Sequence, residues 1–187
     1  MNFTNILLII TQIIVMQTDN TNQINTDIDQ WYVVNDNVMG GVSNSSMVFT
    51  ENETLVFKGR VSLDNNGGFA SVRLNTRNLK VKEDQKLKLV IIGDSKEYQI
   101  RIKPNSNNYY TYSRSIKTTN SKQTIIIPLN EFSAQFRGRK LNMSNFNYEK
   151  LSEIGILIGN KKNEDFRLEI IKIELTNWKF NQVKLKD

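Results

Sequence analysis

Four short segments carry the side chains from which chemistry could be made. Residues 31–43, WYVVNDNVMGGVS, place Asp36 and Met39 ahead of Gly40 and Gly41. Residues 62–73, SLDNNGGFASVR, run from Asp64 through Asn65, Asn66, Gly67, Gly68 and Phe69 to Arg73. Glycine permits a positive φ or a close backbone approach. Both segments therefore read either as turns that seal a fold or as loops that offer amide, carboxylate and guanidinium groups to a polar ligand. Asn-Gly between alternating strands is also a hairpin signal. Residues 135–139, QFRGR, set Arg137 and Arg139 around a glycine. Two guanidinium forks so placed suit a carboxylate or phosphate, or a surface ion pair. Residues 154–162, IGILIGNKK, lack the GxGxxG spacing and strand-to-helix setting of a dinucleotide site, and read as a buried strand ending in a turn. Tyr109, Tyr110 and Tyr112, with Arg101 and Arg114 near them in sequence, offer a stacking surface for a sugar or base, or else core and interface packing.

The chain has no histidine and no cysteine. That removes thiol nucleophiles, Ser-His-Asp triads, imidazole acid–base chemistry, disulfides and nearly all zinc sites. A hydrolase built on Asp36, Asp64 or Glu169 would need two carboxylates about 5–9.5 Å apart across a cleft. No metal and no cofactor are expected, and the chain reads as a binding protein, not an enzyme. The net charge is +6, but the 25 basic residues are interspersed with 19 acids. That pattern points to a solvated surface and not to a nucleic-acid footprint.

The elements that must position these residues have a period of two. Leu55, Phe57, Val61 and Leu63 share one face, with Lys58, Arg60 and Ser62 on the other. Leu87, Leu89 and Ile91 alternate likewise, as do Tyr98, Ile100 and Ile102 against Gln99, Arg101 and Lys103. So do Ile125, Ile127 and Leu129. In the last strand the apolar set passes from Phe166, Leu168 and Ile170 to Ile171, Ile173 and Leu175, the phase change of a β-bulge. Turn-rich stretches separate these runs, and only residues 145–152 could hold a short helix. Short alternating strands of this kind predict one all-β domain, an antiparallel β-sandwich. Its Gly-, Asn- and Arg-bearing loops are expected to form one contact rim.

That domain is expected over residues 31–175, after a polar linker at 17–30 and before a basic tail at 176–187. Residues 6–16, ILLIITQIIVM, are too short to span a bilayer comfortably and suit the apolar part of a secretory signal. No basic residue precedes them, and no small-residue cleavage site follows. A retained membrane-associated segment, a misassigned start and a buried strand stay open. An exported location, periplasm or cell envelope, is the expectation, with a cytoplasmic or membrane-associated one as the alternative.

Together the four segments resemble the complex I intermediate-associated protein 30 family. Its W-x-x-V-N/D-D-x-V-M-G-G-x-S opening is matched from Trp31 through Asp36, Met39, Gly40, Gly41 and Ser43. Its V-S-L-x-N-N-G-G-F-A-S-V-R stretch is matched over residues 61–73, and its F-R-G-R over 136–139. The closing pattern is matched over 154–161 and 166–173. The resemblance implies a galactose-binding-like jelly roll with no catalytic residues to carry over. It also implies a non-catalytic, chaperone-like assembly factor that contacts a respiratory-complex intermediate. The alternative is an exported carbohydrate- or cell-envelope-binding module, with a glycan as ligand. Candidate contact residues are Asp36, Met39, Gly40, Gly41, Asn65, Asn66, Gly67, Gly68, Phe69, Arg73, Arg101, Tyr110, Arg137 and Arg139.

Overall fold

The computed structural model describes residues 21–24 and 28–177. The signal-like segment at 6–16 and the tail beyond residue 177 lie outside the described residues, as does the side chain of Met39. Two antiparallel sheets stack face to face. The first is built from β1 (Thr21–Gln23), β3 (Asn44–Phe49), β4 (Leu55–Val61), β6 (Lys86–Ile92), β9 (Lys122–Pro128) and β13 (Glu164–Thr176). Its order is β3-β4-β13-β6-β9, with β1 against the far end of β13. The second takes β2 (Trp31–Val33), β5 (Ala70–Lys80), β7 (Glu97–Lys103), β8 (Thr111–Lys117), β10 (Ser133–Phe136), β11 (Arg139–Lys140) and β12 (Lys150–Ile158). Its order is β11-β10-β8-β7-β12-β5-β2. The fold is the expected all-β sandwich of jelly-roll type. Its first sheet begins at Thr21, inside the stretch expected to be a linker, and Ile24 just after it is buried.

The alternating apolar residues fill the space between the sheets. Phe57, Leu89, Leu168, Leu74, Ile100 and Ile156 are each at most 1% exposed. Phe166 meets Phe57 edge to face at 4.7 Å, a geometry aromatic quadrupoles favour. β13 keeps its apolar side inward across the phase change because the pairing with β6 shifts between Ile170 and Lys172. Ile171 is the extra residue of that bulge, which returns Ile173 and Leu175 to the core.

Three local expectations fail. The Asn-Gly-Gly segment is not a hairpin, because β4 lies in the first sheet and β5 in the second. The chain crosses between sheets there, and the local turn signal is overridden by anchors described below. Leu63 does not continue the inward face. β4 ends at Val61, a 3-10 turn follows at Asp64–Asn66, and Leu63 is left exposed. Residues 145–149 form no helix. They cross the end of the sandwich as irregular chain, held by Phe146 N–H on the Phe132 carbonyl at 2.9 Å and by the burial of the Phe146 ring against Tyr112.

Inserting one alanine between Lys172 and Ile173 should move Ile173 and Leu175 to the solvent face and abolish a cooperative melting transition. Ile171→Ala keeps the register and should cost only about 1 kcal/mol. Chemical denaturation of the two variants checks this, and equal losses would contradict it.

Candidate functional site

Asp36 sits in a 3-10 turn, Asp36–Met39, just after β2, and its side chain is 1% exposed. The carboxylate is saturated by donors from two loops. Oδ1 accepts the Ser43 N–H at 3.0 Å, and Oδ2 accepts the Ser43 hydroxyl at 2.5 Å. The Gly68 and Phe69 N–H groups reach Oδ2 at 2.6 and 3.2 Å. The two loops can close on it only because glycines flank it. A Cβ on Gly41 would stand 2.4 Å from Asp36 Cγ, and one on Gly67 would stand 2.6 Å from Oδ2. Neighbouring residues extend the seam. Ser45 Oγ donates to Asn35 Oδ1 at 2.7 Å, and Ser71 pairs with Val34 through its carbonyl at 2.9 Å and its hydroxyl at 2.5 Å. Burial pushes the Asp36 carboxyl up, yet the hydrogen bonds from Ser43, Gly68 and Phe69 outweigh it and hold the group below its ordinary 3.8.

Most of the loop candidates are thereby accounted for as architecture. Asp36, Gly41, Gly67, Gly68 and Phe69 form this buried clasp, with Gly40 capping the turn at φ 91°. Asn65 and Asn66 take positive φ on the exposed crossing. The loops do not form one rim. The crossing at 62–69 lies where β12 ends, since Ile158 pairs with Ala70. Arg137 and Arg139 belong to the β10–β11 turn beyond Gln135 and Thr111, at the opposite end of the sheet. Tyr110 lies at that far end too, partly buried against Tyr112 at 5.7 Å between ring centroids. There the exposed Tyr109 ring meets Phe136 at 5.3 Å, and Arg137 lies 5.3 Å over Phe136. No stacking surface joins Arg114 to these tyrosines, because Arg114 stands opposite Ile100 and reaches Glu131 at 3.4 Å. Of the carboxylates weighed for hydrolysis, Asp36 is sealed and Glu169 is held by Thr54 and Arg167, each at 2.9 Å.

The structure brings Arg73 and Arg101 together on the outward face of the second sheet. Cross-strand partners share a face, and register gives one row of Tyr32, Arg73, Gly155, Arg101, Ser113 and Ser133. The next row holds Asn75, Glu153 and Lys103. Glu153 is 6% exposed. It accepts the Tyr32 hydroxyl at 2.6 Å and lies 3.9 Å from an Arg73 guanidinium nitrogen. Arg101 donates twice to Gln99 Oε1, at 3.3 and 2.9 Å. Lys103 turns its amino group to the Ser106 and Asn108 carbonyls at 3.2 and 2.8 Å. Burial, and then the charge of Arg73, bring Arg101 down to about 10. Burial likewise lowers Lys103, against the pull of Glu153. Burial and Glu153 raise Tyr32.

Sequence reasoning missed Tyr32, Gln99, Lys103, Ser113, Glu153 and Gly155 as members of one surface. The polar parity of Gln99, Arg101 and Lys103 was a usable signal. So was Gly155 inside an apolar strand, where a missing side chain often marks close approach. Two open depressions of about 480 and 510 Å³ lie elsewhere, one around Lys58 and Arg167, the other around Lys96 and Lys161. Among the described residues no group of three or more Asp or Glu side chains could hold a metal ion. Among them, too, no helix is long and apolar enough to cross a membrane.

Comparison with known proteins agrees with this architecture. The model of the family described as Complex I intermediate-associated protein 30 matches residues 19–170, and the chain belongs to that family. Among curated proteins none matches. A family 11 carbohydrate-binding module from Clostridium thermocellum, solved with a β-1,3-1,4-mixed-linked tetrasaccharide, superposes with TM-score 0.61 at 17% identity. The match covers 83% of this chain and 93% of the module. The family 11 module of the Clostridium thermocellum cellulosomal cellulase Lic26A-Cel5E gives 0.61 at 15% identity, over 84% and 93%. An agarase, AgWH50C, gives 0.54 at 13% identity, over 85% of this chain but 25% of the enzyme. At such identities the likeness is one of fold.

Asp36→Asn should cost about 3 kcal/mol at neutral pH, since the carboxamide replaces one acceptor oxygen with an NH2 donor that would face N–H or O–H donors. The folded carboxyl lies below 3.8, so its stabilisation is complete above that value and is lost as pH falls through the folded one. Denaturation curves of the wild type and the variant should therefore converge in acid. A gap independent of pH would contradict the clasp.

Proposed function

We propose that this member of the complex I intermediate-associated protein 30 family is a non-catalytic binding protein that takes a saccharide on the outward face of its second sheet. The observation that carries the proposal is the row from Tyr32 to Ser133, where fixed donors and acceptors stand on rigid strands beside an exposed aromatic ring. Tyr32 is 44% exposed, and Glu153 on its hydroxyl fixes the ring's orientation. A sugar ring presents an apolar face to an aromatic and hydroxyls to Arg, Gln and Glu, which this surface supplies at strand spacing. The related fold with a bound tetrasaccharide supports the same choice.

A second reading has its own observation. Tyr109, Phe136 and Arg137 form an exposed aromatic and guanidinium patch at the far end of the sandwich. Those residue types are enriched in protein interfaces. Together with the family match, the patch supports contact with a protein partner, a respiratory-complex assembly intermediate. An exported location favours the saccharide, and sequencing the mature N-terminus from a fractionated host decides it.

Tyr32→Ala should weaken oligosaccharide binding by about tenfold in calorimetry, at a stacking contact worth about 1 kcal/mol or more. It should leave the melting temperature within a few degrees. Arg137→Ala should leave that binding unchanged. If Arg137→Ala instead abolished co-purification with respiratory subunits while Tyr32→Ala bound glycans normally, the protein-partner reading would replace the saccharide one.

A further inference from the structure

The charges on the outward face do not balance. Its two central rows hold Arg73, Arg101 and Lys103 against one carboxylate, Glu153. Glu153 already receives the Tyr32 hydroxyl and faces Arg73 at 3.9 Å. Lys103 spends its donors on the Ser106 and Asn108 carbonyls. Arg101 has the neutral Gln99 oxygen and, among the described residues, no ion pair. A desolvated cation with no counter-charge is costly, and a second cation beside it raises the cost.

The space between the two guanidinium stems is bare. Arg73 and Arg101 are the cross-strand neighbours of Gly155 on its two sides. A Cβ placed on Gly155 would lie 3.5 Å from Arg101 Cβ and 3.8 Å from Arg73 Cγ, so the stems wall a strip whose floor has no side chain. Opposite Arg101, on the side away from Gly155, stands the small and buried Ser113, so no long side chain crowds Arg101 there. Guanidinium groups bind carboxylate and sulfate through paired N–H donors.

We propose that this strip holds the acidic group of a charged saccharide, a uronate carboxylate or a sulfate ester, between Arg73 and Arg101 over Gly155. The proposal rests on the saccharide reading above and narrows it from sugars in general to acidic ones. Neutral stretches of the same glycan would lie along Tyr32 and Gln99.

The test titrates the full chain with an oligogalacturonate, with its methyl ester, with a sulfated oligosaccharide and with poly-glutamate. The acid or the sulfated sugar should bind about tenfold or more tighter than the neutral ester, the preference expected of a paired guanidinium contact. The stronger of these two arms identifies which oxyanion is read. Arg101→Gln should bring acid and ester to within about threefold of each other, with Arg101→Lys in between because it keeps the charge and loses the fork. Melting curves establish that each variant is folded, and Arg73→Gln, at a more exposed position, serves if Arg101→Gln is not. Binding of both the acid and the sulfated sugar no tighter than the ester would overturn the proposal and leave the saccharide reading standing. Poly-glutamate binding as tightly as the acidic sugar would overturn it by showing that charge alone is read. Binding of neither sugar class would remove both.

Discussion

A single buried carboxylate organises this molecule. Asp36 is 1% exposed and has no cation beside it among the described residues, so its charge is carried entirely by hydrogen-bond donors. Those donors come from two directions, Ser43 on the way into the first sheet and Gly68 and Phe69 on the way into the second. The carboxylate therefore ties together two of the places where the chain changes sheets, β2 to β3 and β4 to β5. Stripped of these donors, a buried charge would cost several kcal/mol. The requirement explains the glycine pairs better than any ligand does. Backbone can close on the carboxylate at Gly41 and Gly67 only where no Cβ intrudes.

What the clasp secures is a flat, paired surface some distance away. Ser71 binds Val34 beside the clasp, and this holds β2 against β5, so that Tyr32 meets Arg73 in register. From there pairing carries the row across β12 and β7 to β8. The inward residues of these strands are close-packed, which leaves the outward ones little freedom to shift. Arg101 and Glu153 are thus held largely desolvated on a rigid support, and their charges act more strongly there than at a mobile loop tip. Loops at one end are consumed by structure, and the turn at the other end carries an aromatic patch. The polar centre of the sheet is left as the surface with fixed, unspent donors.

Much of this was legible in the residues. Alternation at Leu87, Leu89 and Ile91, and at Tyr98, Ile100 and Ile102, gave strands and their buried faces, because a period of two has one physical meaning at a half-buried sheet. The phase change after Ile170 gave the bulge for the same reason. The ordered motifs gave the family. The partnering of strands was not legible. Asn66-Gly67 satisfies the local rules of a hairpin, but the distant Asp36 takes the amides that follow it and sends the chain across to the other sheet. The site was half visible. Arg73 and Arg101 could be named, but Gly155 and Ser113 join them only through cross-strand register, which depends on long-range pairing. Asp36 and its glycines stood out by residue type and by their place in the family's motifs, and a motif marks residues that build the fold as readily as residues that touch a ligand.

The distinction between clasp and contact face can be read directly from amide chemical shifts of the labelled protein as oligogalacturonate is added. Perturbations should centre on Tyr32, Arg73, Gln99, Arg101 and Ser113, with the amides of Ser43, Gly68 and Phe69 unmoved. Shifts concentrated in residues 36–43 and 64–69, with the sheet face silent, would contradict the division drawn between the residues that build this protein and those that touch its ligand.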